Sequence, residues 1–302
     1  MLDQQMDLHD LPSVIKDRVF SINEENRKKT GAEDLGLIGN KGYTAPDEKI
    51  ITDAAIALSL GKNVLLKGPT GSGKTKLAEH LSYLFHQPMH SINCSVDLDA
   101  EALLGYKTLT YDEEGKAHIT FVSGPVELAM KKGHLLYIDE INMAKAETLP
   151  ILNGALDYRR MVLNPFTGET VRAENDFGVI AAINEGYVGT TPLNEALKNR
   201  FVVIDVPYLQ GDALKMMLKS QSLLDEEDLL AQFVALSHDL TSKVKEGQIS
   251  EEGASTRSLL DACDLSVYMP PQRAIRRAIV DKLDETREKA AVANISETIF
   301  GR

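Results

Sequence analysis

The segment Gly68-Pro69-Thr70-Gly71-Ser72-Gly73-Lys74-Thr75 fits the pattern G-x-x-x-x-G-K-[ST] and constrains the fold more than any other stretch of this 302-residue chain. An apolar run from Asn63 to Lys67 precedes it, and Lys76 to Leu84 follows with helical spacing. Strand, loop and helix thus stand in the order that a phosphate-binding P-loop needs. Its glycines let the backbone turn with φ above zero, which aims successive N–H groups at an anion while the next helix adds its positive end. In such a cradle Gly68 to Thr75 would hold nucleotide phosphates. Lys74 would neutralise the outer two, and the Thr75 hydroxyl would be offered to Mg²⁺.

The length suits one large α/β domain with a smaller appendage. With 43% hydrophobic and 26% charged residues the composition is that of an ordinary globular chain, and no apolar run approaches the length of a membrane span. The first residues carry Asp3, Asp7 and Asp10 without the apolar centre of a signal peptide, so a cytoplasmic location is expected. Cys94 and Cys263 lack metal-ligand spacing and are expected as buried small residues. A net charge of −12 argues against general affinity for nucleic acid.

Residues 1–40 read as a polar N-terminal arm, with one amphipathic stretch from Leu11 to Ile22 and a loop-like run from Gly31 to Gly42. A helix is expected from Asp47 to Leu60, stopped by Gly61. Next come a strand from Met89 to Cys94, a helix from Val96 to Leu104, and a hairpin pairing Tyr106–Tyr111 with Ala117–Val122. Pro125 starts a helix that Gly133 ends. The spacing predicts another helix from Ala146 to Leu156, a second hairpin at 160–173, a short helix from Leu193 to Leu197, and strands at Val179–Ile183 and Val202–Val206. Beyond Pro207 four helices are expected, from Leu214 to Leu224, Glu226 to Lys245, Ser255 to Met269 and Gln272 to Ala293, with Met216, Met217 and Met269 as core filler.

Several strand ends carry chemistry. His134 to Ile138 is an apolar strand that stops in Asp139-Glu140, two acids that a core strand would avoid. Downstream of a P-loop this is a Walker B element, in which Asp139 would bind Mg²⁺ and Glu140 would polarise an attacking water. Asn184 closes the next strand and has two readings, a turn residue or a group holding the water or the γ-phosphate. Arg200, between helix and strand, is expected on the ligand side of the sheet, either neutralising a helix C-terminus or reaching a neighbouring subunit's nucleotide as an arginine finger. Ser255 is an expected N-cap, which puts Arg257 in a first helical turn where the dipole disfavours it, a hint that an anion or acid compensates.

Taken in order, Gly68–Thr75, Leu135–Glu140, Asn184, Arg200 and Arg257 resemble Walker A, Walker B, sensor 1, arginine finger and sensor 2 of an AAA+ ATPase. The phrase Leu65 to Gly71, the hairpin at 105–122, Gly124-Pro125, the hairpin at 160–173 and Ser255-Thr256-Arg257 resemble the MoxR family, within it the NorQ/CbbQ/GvpN branch. That resemblance implies a P-loop NTPase core with a parallel sheet flanked by helices over residues 41–208, two pore-facing hairpins, and a helical lid over 209–302. It makes Asn93 a polar switch near the catalytic glutamate. It also implies a homo-oligomer, a hexameric ring hydrolysing ATP with Mg²⁺, which works with a von Willebrand factor A domain partner to activate or metal-load a target protein complex. The competing readings are weaker. A nucleic-acid motor or loader would need a basic, aromatic-interleaved stretch, and a small-molecule kinase would have no use for a trans-acting Arg200. Adenine over guanine rests on the resemblance, since no N-K-x-D motif occurs.

Overall fold

The computed structural model describes residues 12–94, 98–113, 115–184 and 193–301. Leu11, the acids of the first ten residues and the start of the helix expected from Val96 therefore lie outside the described residues. Strands β1 (Asn63–Gly68), β2 (Met89–Asn93), β5 (Leu135–Asp139), β8 (Gly178–Asn184) and β9 (Phe201–Asp205) form one sheet in the order β2-β5-β8-β1-β9, every pair parallel. Parallel strands buried on both faces must be apolar throughout, and the twofold alternation of side chains then divides them between two cores. Val64, Leu66, Tyr137 and Ile180 face one core with Leu77 and Leu81 of α3 (Lys74–Phe85) and Ile51 of α2 (Lys49–Ser59). Leu65, Leu136, Ile138 and Val179 face the other, with Val126 and Met130 of α5 (Pro125–Lys132) and Leu152 of α6 (Leu149–Leu156).

Two antiparallel hairpins stand off this sheet. Strands β3 (Gly105–Tyr111) and β4 (Ala117–Ser123), entered from α4 (Ala100–Leu104), pair with Leu109 opposite Ile119, both well exposed. The smaller hairpin pairs β6 (Met161–Leu163) with β7 (Thr170–Arg172). A single turn, α7 (Glu195–Lys198), precedes β9, and beyond it a third apolar cluster gathers α8 (Gly211–Gln221), α9 (Glu227–Lys245), α10 (Thr256–Ser266), α11 (Pro271–Ala278) and α12 (Thr286–Phe300) around Phe233, Leu218 and Ile275.

In the N-terminal arm, α1 (Ser13–Lys29) packs on the P-loop helix, and Val19 joins the same core as Leu77 and Leu81. Its polar face caps the ends of other helices. Asn23 Nδ2 donates to Leu84 O at 2.7 Å and Asn26 Nδ2 to Phe85 O at 2.9 Å, satisfying carbonyls that a helix C-terminus leaves without partners. Arg18 Nε does the same for Ser59 O at the end of α2.

Three expectations are corrected. Helix α6 begins at Leu149 rather than Ala146, because Pro150 fits a first turn but would clash with the carbonyl four residues back in a helix interior. The last expected helix is two helices, α11 and α12, with a break after Ala278. Ile275, Ile279 and Leu283 mimic one continuous stripe by their spacing, yet burying Ile279, Val280 and Leu283 together draws the chain out of the helix. Met217 is buried but its neighbour Met216 is 63% exposed, and Met269 is only half-buried, so one methionine of the three fills the core.

Candidate active site

Parallel register brings the chemistry to one edge. Gly68 pairs with Asn184, Asn93 with Asp139, and β8 lies between β1 and β5, so the P-loop, Asn184, the two acids and Asn93 follow one another along the C-terminal ends of the strands.

At Gly68 a β-carbon would lie 2.2 Å from Val206 O, so the loop leaves the sheet where only glycine fits. Gly71 and Gly73 take φ of 76° and 95°, the left-handed turns expected there. Lys74 is buried and donates to Gly68 O at 3.0 Å and Pro69 O at 2.7 Å, which folds its ammonium back into the loop. Burial pushes its pKa down to about 8, against the pull of Asp139, Glu251 and Glu140. Gly73, the N-cap of α3, has no side chain with which to cap the helix. Ser72 Oγ is buried without a hydrogen-bond partner among the described residues. An orphaned hydroxyl beside free helix-terminal N–H groups is what a phosphate cradle presents to its ligand.

The Thr75 hydroxyl lies 3.1 Å from Tyr137 Oη, and the Tyr137 hydroxyl is near enough to Asp139 to act on its carboxylate. Tyrosine and aspartate share one face of β5, two residues apart. Burial first, and the Glu140 charge second, raise the Asp139 pKa, while the Glu140 N–H, Lys74 and Tyr137 oppose the shift. Glu140 N donates to Asp139 Oδ1 at 3.0 Å. Glu140 itself has φ of 52°, a left-handed conformation that costs a non-glycine residue about 1–3 kcal/mol and persists only where its surroundings impose it. This bend takes the chain out of the strand, and the Glu140 carboxylate accepts from Asn184 Nδ2 at 2.9 Å.

Helical-region residues reach the loop from the other side. Ser255 holds the N-cap position of α10, but its hydroxyl caps nothing; it sits against Gly71, 2.4 Å from where a β-carbon would be. Arg257 is exposed in the first turn of α10, and among the described residues no acid pairs with it. Asn93 ends the outermost strand beside Asp139.

Arg200 does not join this group. It precedes Phe201, which pairs with Asn63 at the start of β1, so it stands at the N-terminal edge of the sheet, opposite the P-loop, and the expectation of a ligand-side position is corrected. In parallel strands a residue before the strand lies away from the carboxyl ends where ligands bind. There its guanidinium donates to Ala196 O and lies 3.9 Å from Asp157 Oδ2. The neighbouring Arg160 ties the same edge together through Phe177 O, Gly61 O and Asn63 Oδ1.

Tyr137, Tyr208 and Glu251 were not singled out from the sequence. Tyr137 had a signal, its place two residues before Asp139 on one face of a strand. The other two come from segments far along the chain. Both cysteines are buried and free, as their spacing led us to expect. Among the described residues no group of three His, Cys, Asp or Glu could hold a metal, and no helix is long and apolar enough to cross a membrane.

A family model described as the AAA domain, dynein-related subfamily, matches residues 63–201, a span that includes the P-loop, both acids and Asn184. YojN of Bacillus subtilis is 65% identical over 290 residues, 96% of this chain and 94% of the relative. A Staphylococcus aureus protein is 59% identical over 260 residues, covering 86% and 99%. Among solved structures, NtrX of Brucella abortus aligns over 95% of this chain and 66% of its own at 15% identity and a TM-score of 0.49. The chain belongs to the same family as YojN, and its residues 63–201 match the AAA domain of the dynein-related subfamily.

Proposed function

We propose that the protein is a Mg²⁺-dependent ATPase of the MoxR type that works as a ring, hexameric by resemblance, and activates or remodels a target protein complex with a von Willebrand factor A domain partner. The observation that carries the ATPase reading is the Asn184–Glu140 hydrogen bond, 2.9 Å long, on the same strand edge as Lys74 and Asp139. The N–H groups of the loop would hold the phosphates, and Lys74 would turn from the loop carbonyls to the outer two. The donor set suits Mg²⁺, a hard cation that takes few protein oxygens and keeps its waters: the Thr75 hydroxyl and the Asp139 carboxylate would hold it, with Tyr137 placing both. When bound, the ion neutralises charge on the phosphates. Glu140 would take the proton of an attacking water, and Asn184 would hold that carboxylate in place.

Residues 209–302 act in this reading as a lid over the nucleotide, Arg257 facing the phosphates as the lid settles, and Asn93 modulates the Glu140 carboxylate. Arg200, on the far edge, completes the site of a neighbouring copy. The exposed hairpin β3–β4 meets the target. The test begins with phosphate release. Activity must rise with protein concentration, and Arg200→Ala and Glu140→Gln must each lose it. A mixture of the two variants regains part of it, because some interfaces then join an intact Glu140 to an intact Arg200. Hydrolysis by a strict monomer at a concentration-independent rate defeats the ring reading. Affinity capture with Glu140→Gln in ATP then identifies the target and the partner.

A further inference from the structure

The helical region touches the P-loop through a carboxylate. Glu251 opens the short turn Glu251–Ala254 that leads into α10, and its Oε2 accepts from Thr70 N at 3.0 Å. A loop whose N–H groups serve to receive anions thus gives one of them to an anion of its own chain. The contact is built in. Tyr208 Oη lies within donating distance of both Thr70 O, at 3.1 Å, and Glu251 O, at 3.2 Å, and Ser255 closes on Gly71 from the same turn. The charge is felt past the contact, since Glu251 acts on the Lys74 ammonium more strongly than Glu140 does.

We propose that Glu251 sets the preference of the site among nucleotides by charge: held on Thr70, it opposes the phosphate chain in proportion to the negative charge brought to Gly71–Thr75, and so disfavours a triphosphate more than a diphosphate. The assignment rests on the nucleotide reading above. Two anions beside one cradle compete for the same ammonium, and their repulsion grows with the product of their charges. The outermost phosphate therefore meets the full effect. The consequence is a site that does not hold ATP as tightly as its loop alone would allow, with the lid turn that carries Glu251 pushed outward as the ligand's charge increases.

The test compares full-length wild type, Glu251→Gln and the control Glu252→Gln, whose exposed side chain is one residue away, by titration with fluorescent ATP and ADP analogues in saturating Mg²⁺. Glutamine keeps an oxygen that can accept from Thr70 N and removes the charge. Glu251→Gln should bind the triphosphate on the order of five to ten times more tightly and the diphosphate by a smaller factor, the gain shrinking with added salt. Glu252→Gln should leave both Kd values within about twofold, as expected for a screened surface charge. Glu251→Asp keeps the charge and should keep the wild-type ratio of the two affinities. An equal gain for both nucleotides, no gain, or weaker binding in Glu251→Gln overturns the proposal, as does a ratio in Glu251→Asp that moves with that of Glu251→Gln. A wild type that binds neither nucleotide overturns the nucleotide reading and this assignment with it, whereas wild-type binding with an unmoved ratio in Glu251→Gln overturns the charge role alone.

Discussion

Asn184 donates its side-chain amide to Glu140 Oε1 at 2.9 Å, joining the end of β8 to the first residue beyond β5. The bond fixes which way a carboxylate on a left-handed bend must point. Glu140→Gln can still accept from Asn184 but cannot take a proton, so turnover should fall about 10²–10⁴-fold with nucleotide affinity kept. Asn184→Ala leaves the acid and removes its guide, and should cost on the order of 10²-fold in kcat with KM little changed. Steady-state phosphate release checks both. Equal KM and kcat losses in Asn184→Ala would mean that the asparagine shapes the loop rather than the carboxylate.

The Tyr137 hydroxyl bonds that of Thr75 and acts on the Asp139 carboxylate, the two oxygen donors expected around Mg²⁺. Tyr137→Phe should fold, since the ring stays in its apolar surroundings. Losing about one hydrogen bond's worth of positioning should raise the Mg²⁺ concentration for half-maximal activity about three- to tenfold. A Mg²⁺ titration at saturating ATP reads this directly, and an unchanged midpoint removes Tyr137 from that role.

Lys74 gives a pH dependence with a definite sign. Its folded pKa of about 8 lies below the ordinary 10.5. Between these values the unfolded chain binds more protons at this residue than the folded one, so the Lys74 contribution to nucleotide-free stability rises with pH across that window. Phosphate binding calls the charge back. Above pH 8, ATP affinity should fall by up to about tenfold per pH unit, and binding should take up a fraction of a proton. Calorimetry at pH 9 in two buffers of different ionisation enthalpy measures that uptake, and identical heats would show that Lys74 keeps its charge. Lys74→Ala should abolish binding at any pH.

Asn23→Ala and Asn26→Ala probe the arm. Each leaves a buried helix-end carbonyl without its donor, which should cost about 1–3 kcal/mol. Urea unfolding should show midpoints lowered at unchanged slope, and the double variant should fall short of additivity, since the two bonds serve adjacent carbonyls.

The core of the site was legible because its motifs are contiguous and each is bracketed by a strand. Gly68–Thr75 carries its own turn chemistry, and Asp139-Glu140 announces itself by putting acids where an apolar run stops. The edge on which Arg200 stands was misjudged, although the rule is local: a residue just before a parallel strand must sit at the starting edge, away from the carboxyl ends. Glu251 and Tyr208 were not legible, since their partner Thr70 lies 181 and 138 residues away along the chain, and no local pattern encodes such a meeting. The break between α11 and α12 was hidden for the opposite reason. The apolar period runs on through Ile279 and Leu283, so the local signal is present and packing overrides it.

Arg200 and Gly68 occupy opposite ends of adjoining strands, β9 and β1, separated by the length of the 6-residue strand from Asn63 to Gly68. If each copy lends its arginine to the next, contacts run head to tail, and every copy offers one donor edge and one acceptor edge. A closed circle then has as many finished sites as members. An arc or lock-washer that fails to close always has one fewer, with an idle pocket at one end and an unclaimed arginine at the other. A break in such a circle would thus choose which pocket rests, and a protein wedged into the gap could govern turnover without touching a nucleotide.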